Sequence, residues 1–174
     1  MPYYTGAGDK GSTGLCDKGK VPKSSERIAA IGEADELNSA IGLCRCVCRD
    51  ADVCGNLERI QSELFVLGSD LSGAKDVSIT AEHVKETEKE IDGITDEIGE
   101  LKGFILPVGS ELAARLHFAR AVCRRTERVL CRLAEEEKVN ETILPYINRL
   151  SSLLFVLARL ANERAKIKDV EWKK

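Results

Sequence analysis

The residues best equipped for chemistry fall in two stretches of this 174-residue sequence. The first is an N-terminal arm, Tyr4-Thr5-Gly6-Ala7-Gly8-Asp9-Lys10-Gly11-Ser12-Thr13-Gly14-Leu15. Its four glycines and its hydroxyls leave successive backbone N–H groups free to turn toward phosphate oxygens. Lys18, Lys20 and Lys23 follow closely with charge suited to a polyphosphate, although solvated lysines on a flexible terminal arm fit the same sequence. Gly6, Gly11 and Ser12 superficially match G-x-x-x-x-G-K-S/T. The lysine after Gly11 is missing and no buried strand precedes the loop, so this is not a Walker A motif. The second stretch holds Arg115, Arg120, Arg124, Arg125, Arg128 and Arg132. Arg120, Arg124 and Glu127 are spaced four and three apart, which on a helix makes one stripe beside the apolar seam and predicts half-buried side chains. Guanidinium groups there need carboxylate or phosphate partners, and internal salt bridges or a bound anion both meet that need.

Further polar groups fall beside other seams. Asp35, Asn38 and Gly42 lie one residue past the seam of an earlier helix, and Asn148, Ser152, Phe155, Arg159 and Asn162 share one face of the last. A lone Asn or Asp beside a seam commonly only fixes register, but three such stripes with an anion-friendly arm suggest a site. Phe104-Ile105-Leu106-Pro107 precedes the arginine helix, either as a core plug or as the wall of a pocket for a large planar ligand. Of the seven cysteines, Cys44, Cys46 and Cys48 form a C-x-C-x-C run. On a helix Cys44 and Cys48 share a face and Cys46 points away. No C-x-x-C pair occurs, and His83 and His117 fall in unrelated segments, so buried thiols are the better reading and no metal ligands are assigned.

Apolar or small residues recurring at steps of three and four define the elements that must position these groups. The seams are Ala30, Ala34, Leu37, Ile41, Cys44 and Cys48; then Val53, Leu57, Ile60, Leu64, Leu67 and Leu71; then a weaker Val84, Thr87, Ile91, Ile94, Ile98 and Leu101. Two strong ones follow: Leu112, Leu116, Ala119, Cys123, Thr126, Leu130 and Leu133, and Ile143, Ile147, Leu150, Leu154, Leu157 and Ala161. Thr80, Ser110 and Asn140 are candidate helix caps, and Pro145 marks either the start of the last helix or a kink in it. No strand-period run competes. The expected fold is all-α, a five-helix antiparallel bundle with a ferritin-like up-and-down core. One domain is expected over 1–174, divided into an arm (1–24), the bundle (25–168) and a tail (169–174).

Composition narrows the function. Hydrophobic residues at 43% and charged residues at 32% are the balance of a folded globular domain. Twenty-six Lys and Arg against 29 Asp and Glu leave a formal charge of -3, so no basic field exists to hold nucleic acid. The start lacks a basic region followed by an apolar run, and no segment approaches a run of about 18 consecutive apolar residues. A cytoplasmic protein is expected.

Five ordered blocks resemble the PduO-type ATP:cob(I)alamin adenosyltransferases over nearly the whole chain. They are Tyr4-Thr5 through Thr13; Asp35-Glu36-Leu37-Asn38 with Ile41-Gly42; Phe104-Ile105-Leu106-Pro107 with Gly109-Ser110; Arg120-Ala121-Val122-Cys123-Arg124-Arg125-Thr126-Glu127-Arg128; and Tyr146-Ile147-Asn148-Arg149-Leu150-Ser151. The resemblance implies a homotrimer with sites between subunits, in which cob(I)alamin attacks the 5′ carbon of ATP and triphosphate leaves, with Mg2+ accompanying the nucleotide. By this analogy Thr5, Gly6, Ala7, Gly8, Thr13, Gly14, Lys23, Arg124, Arg125, Thr126, Glu127, Arg128 and Asn148 hold ATP. Arg120 pairs with Asp35, and Phe104, beside Val108, faces the corrinoid and displaces the lower axial ligand of cob(II)alamin. Asp35, Phe104 and Arg120 are thus the implied catalytic set, with a reductase and an adenosylcobalamin-dependent enzyme as implied partners. The sequence departs from the family pattern at Val108, Ser152 and Lys20. An ATP-gated adenosylcobalamin carrier using the same sites, and a purely structural bundle, are the competing readings.

Overall fold

The computed structural model describes residues 3–173. Its helices are α1 (Glu26–Val47), α2 (Ala51–Leu71), α3 (Ala81–Ile98), α4 (Glu111–Glu136) and α5 (Ile143–Arg164). Every seam residue predicted for α1, α2 and α5 is buried. Leu112, at the start of the α4 seam, is only partly covered, and the rest of that seam is buried. In α3 only Thr87 and Ile94 are buried, and Leu101 lies exposed beyond its end. α1 packs on α2 and α4, and α5 packs on α4 and α3. Side chains close the ring between α2 and α3 through the ion pair of Arg59 with Glu90.

One buried polar string crosses the core. The fully buried Tyr146 donates its hydroxyl to Glu63 at 2.8 Å, and Glu63 also receives Arg59 at 2.5 Å. The Tyr146 hydroxyl and both Glu63 carboxylate oxygens have partners, as the low dielectric demands, while Arg59 Nε has none among the described residues. Burial, reinforced by Glu63, pushes the Tyr146 hydroxyl well above its ordinary range, so it remains a proton donor.

Local chemistry sets the helix ends. Asp50 caps α2 by accepting from Asp52 and Val53 N–H at 3.1 Å each, and Ser110 caps α4 by accepting from Ala113 N–H at 3.2 Å. Thr80 caps α3, its N–H reaching His83 Nδ1 at 3.1 Å. The N-cap of α5 is Thr142 and not the predicted Asn140. Asn140 instead accepts from Thr142 N–H and donates to Asp70 and to the Ile79 carbonyl, both at 2.7 Å, tying the α5 start to the segment before α3. Pro145 stands in the first turn of α5, where its missing N–H has no intrahelical partner to lose.

The arm departs from the all-helical expectation. It folds into a hairpin, β1 (Ser12–Leu15) with β2 (Gly19–Pro22), in which Ser12 faces Pro22 and Leu15 faces Gly19. Leu15 is the one buried residue of the two strands. With a single apolar anchor, no period-2 pattern was present to read. The tip docks on the bundle: Cys16 N–H donates to the Ser72 carbonyl at 2.8 Å, and Lys18 and Arg27 both hold Glu137. Gly73 lies so close to Asp17 that a Cβ there would stand 2.4 Å from the Asp17 Cβ, so only glycine fits.

Within the expected tail, residues 170–172 pair with the Phe104 segment. α5 is long and apolar enough by composition to cross a membrane. Most of its apolar side chains are buried against the other helices, and Asn148, Arg149 and Arg159 interrupt its apolar run.

Candidate active site

The arm's backbone is shaped by its glycines. Asp9 N–H donates to the Gly6 carbonyl at 3.2 Å, Gly11 N–H to that of Gly8 at 3.1 Å, and Lys23 N–H to that of Gly11 at 2.9 Å. Gly6 and Gly11 take positive φ, and the Lys23 Nζ lies 3.0 Å from where a Gly8 Cβ would stand. Lys23 is thus brought against the Gly-rich turn 6–11. Thr5, Gly6, Ala7 and Gly14 are exposed, while Gly8 and Thr13 are partly covered.

On α4 the arginines divide sharply. Arg120 and Glu127 are half-buried as predicted, whereas Arg124 is exposed. The Arg124 guanidinium makes no ion pair among the described residues, and Arg128 donates to the Arg124 carbonyl at 2.9 Å. Arg125 is already satisfied, pairing with Glu33 at 2.8 Å and Glu36 at 2.5 Å on α1. Those two carboxylates raise its already high basicity further. Thr126 is fully buried, its hydroxyl donating to the Val122 carbonyl at 3.1 Å and lying 3.2 Å from that of Glu33. Thr126, which the resemblance places in the nucleotide run, thus joins α4 to α1 inside the core.

Glu127 is oriented by α5. Asn148 Nδ2 donates to it at 2.7 Å, while Asn148 Oδ1 accepts from Arg149 at 2.8 Å and Arg149 holds Glu88 of α3 at 2.8 Å. Sequence reasoning did not assign Arg149 or Glu88, because their link spans two helices far apart in the chain. The Arg120 guanidinium stands 5.9 Å from the Phe155 ring centroid, within cation–π reach, and its Nε has no partner. His117, one turn earlier, packs edge-on against Phe155 and is 3% exposed with both ring nitrogens unpartnered. Burial, followed by the nearby Arg120 charge, lowers its pKa.

Asp35 and Arg120 do not meet within the chain. Asp35 lies exposed in the groove between α1 and α2, a cavity of about 400 Å³ lined also by Ile31, Leu64 and Phe65, and it makes no ion pair among the described residues. The Arg120 stripe opens on the α4/α5 side. Beside Asp35, Asn38 and Gln61 donate to each other's backbone carbonyls at 3.1 and 3.2 Å, so Asn38 fixes helix register. Phe104 is 79% exposed and meets Trp172 edge-on, with ring centroids 6.4 Å apart. Val108, also exposed, offers its carbonyl to Asn162 at 3.2 Å.

A helical bundle with a Gly-rich arm closed on Lys23, two exposed arginines, Arg124 and Arg128, that make no ion pair among the described residues, and an exposed aromatic loop defines a class: a bundle equipped to bind an anion. The family model described as cobalamin adenosyltransferase matches residues 3–161, and this chain belongs to that family. The corrinoid adenosyltransferase of Bacillus subtilis is 44% identical over 181 residues, spanning 100% of this chain and 93% of its own. The corrinoid adenosyltransferase PduO of Salmonella typhimurium is 40% identical over 171 residues, spanning 95% of this chain and 51% of its own. A phenylalanine-to-alanine variant of the PduO-type ATP:corrinoid adenosyltransferase from Lactobacillus reuteri, complexed with cobalamin and ATP, superposes with a TM-score of 0.93 at 36% identity, covering 99% of this chain and 100% of that one. An arginine-to-lysine variant of the Lactobacillus reuteri enzyme, complexed with ATP, does so with a TM-score of 0.91 at 36% identity, covering 98% and 99%.

Proposed function

We propose that this protein transfers the 5′-deoxyadenosyl group of ATP to the cobalt of cob(I)alamin or a related corrinoid. The cobalt electron pair forms the bond to C5′, the C5′–O bond breaks, and its electron pair departs with triphosphate. The observation that carries the reading is the carboxylate-free Arg124 guanidinium beside Arg128, on a chain of this family. Triphosphate needs cations as its leaving charge develops, and the cobalt nucleophile needs no base, so positioning and charge neutralisation are the protein's task.

In this reading the arm turn 6–11 and Lys23 hold phosphates, Thr5, Thr13 and Gly14 complete the cradle, and Arg124 and Arg128 face the triphosphate. Asn148 holds Glu127 in place, and Arg125 shapes the site through Glu33 and Glu36. Mg2+ arrives with the nucleotide. Phe104 and Val108 face the corrinoid, and the aromatic ring keeps a lower axial donor off the cobalt. Removing that donor lowers the orbital that a reductase's electron must enter.

Asp35 and Arg120 open on different faces of one chain, which supports a homotrimer in which Asp35 of one copy meets Arg120 of the next. The free state of all seven cysteines suits a cytoplasmic, reducing setting in which an adenosylcobalamin-dependent enzyme consumes the product. The test is anaerobic: chemically reduced cob(I)alamin, MgATP and protein, following loss of the cob(I)alamin absorbance and identifying the phosphate product. Turnover with triphosphate release is expected. Binding of both substrates without turnover would turn the reading toward the carrier.

A further inference from the structure

Phe104 is too exposed for the core to fix its position. What fixes it is the chain beyond α5, and that chain is held through Asp169 by two side chains of α5, Arg159 and Asn162. α5 ends in a reversal at Lys166, where φ is 57°, and Ile167 N–H donates to the Asn162 carbonyl at 2.9 Å. The reversal returns Asp169 to the helix it has just left. There its carboxylate accepts from Arg159 Nε at 3.1 Å and from Asn162 Nδ2 at 3.0 Å.

Asn162 is 1% exposed, and every polar atom of its amide is engaged. Besides Asp169, Nδ2 donates to the Val108 carbonyl at 3.2 Å, and Oδ1 accepts from Ser110 N–H at 2.9 Å. Gly109 has φ of 143°, and a Cβ there would lie 2.1 Å from Asn162 Oδ1, so the loop closes directly on the amide. From Asp169 onward the chain runs along the Phe104 segment. Leu106 N–H donates to the Val170 carbonyl, and Trp172 N–H to that of Phe104, both at 2.8 Å, with Ile105 paired to Glu171.

We propose that Asn162 and Asp169 are positioning residues for the corrinoid step: a latch that clamps the C-terminal segment to the Phe104 loop and so sets where the exposed ring stands. The inference rests on the proposed function, but the latch itself has an independent readout. Trp172 is the sole tryptophan of the chain, so its emission reports on the clamped segment.

The experiment uses the full chain with Asp169→Ala, and Asp169→Glu as the conservative companion. In Asp169→Ala, Trp172 emission shifts to the red and becomes more accessible to iodide. The KM for cob(I)alamin rises about tenfold while that for ATP stays within about twofold, since only the corrinoid wall has moved. The absorbance of four-coordinate cob(II)alamin, formed with MgATP, is lost in step, and Asp169→Glu restores part of each signal. A corrinoid KM unchanged in Asp169→Ala overturns the proposal, and so does a parallel rise in both KM values with a lowered melting temperature, which is a structural defect only. If the unmodified protein shows no turnover, the functional reading has failed. The latch is then judged by Trp172 alone, and emission unchanged by Asp169→Ala overturns it.

Discussion

Neighbouring arginines on α4 carry opposite assignments, and the difference is one of partners. Arg125 is matched by Glu33 and Glu36, whereas Arg124 projects from an exposed position with no carboxylate to neutralise it. Arg124→Ala should therefore change unfolding free energy by no more than about 0.5 kcal/mol, as expected for an exposed residue without a special contact, while raising the KM for ATP strongly. Arg125→Ala should instead lower the melting temperature, because it leaves two facing carboxylates unscreened. Denaturation and steady-state kinetics on the two variants check the split. The run of arginines was legible in the sequence, but its division was not, since Glu33 lies 92 residues from Arg125 and only the fold brings them together. The burial of Thr126 was not legible for the same reason: a position inside a polar run can still point into the core. His117 yields a pH effect. Its folded pKa lies below the ordinary 6.5 because burial disfavours the charged ring. The unfolded chain then binds the extra proton first, so stability is full above 6.5 and falls as pH drops below it toward the folded pKa. His117→Gln should flatten that part of the stability profile, measured by chemical denaturation at stepped pH.

At the scale of elements, α2 depends on its N-cap residue more than its apolar seam suggests. Asp50 caps the helix through two N–H groups and also pairs with Arg164 at the end of α5, so one side chain joins two helix ends. Asp50→Ala should cost about 1 kcal/mol or somewhat more, the usual loss for an N-cap, and Arg164→Ala should cost less because the cap survives. The Arg164 hydrogen bond holds the Asp50 carboxyl below its ordinary 3.8, so its contribution is present above that pH and is lost as pH falls through the folded pKa. Urea titrations at pH 7 and pH 3 separate the two. The seams of the five helices were readable because burial imposes a period of 3.6 on any core-facing helix. The hairpin was not, since its stability comes from the Cys16, Lys18 and Asp17 contacts with α2 and α4 and hardly from its own apolar pattern. The tail escaped for a related reason. Its hydrogen bonds are made by backbone groups, and a sequence does not say which strand edge a backbone will find.

The whole molecule poses a geometric problem that one chain does not solve. Asp35 lines the α1/α2 groove, while Arg120 and Arg124 serve the α4/α5 side, yet the proposed reaction needs them in one site. A cyclic assembly with head-to-tail contacts brings the first face of one copy against the second face of the next. Exposed apolar side chains on the outer faces, Phe65 in the groove and Leu43 and Phe118 on α1 and α4, give such contacts surface to bury. The arrangement makes a prediction that no single-chain site can satisfy. Asp35→Ala and Arg124→Ala chains should each be nearly inactive alone. In mixed trimers, a site that takes its Asp35 from the Arg124→Ala chain and its Arg124 from the Asp35→Ala chain is intact. Random assortment of equal amounts makes about one site in four intact, so co-expressed variants should recover up to about a quarter of the unmodified rate. A double variant carrying both changes, mixed with unmodified chains, leaves the same one site in four intact but adds none that the unmodified chains lack. Trimers purified through two different affinity tags are all mixed and hold about one intact site in three, so their assay measures the recovery directly. Activity no higher than the mean of the two single variants would place Asp35 and Arg124 in one chain's site or in none.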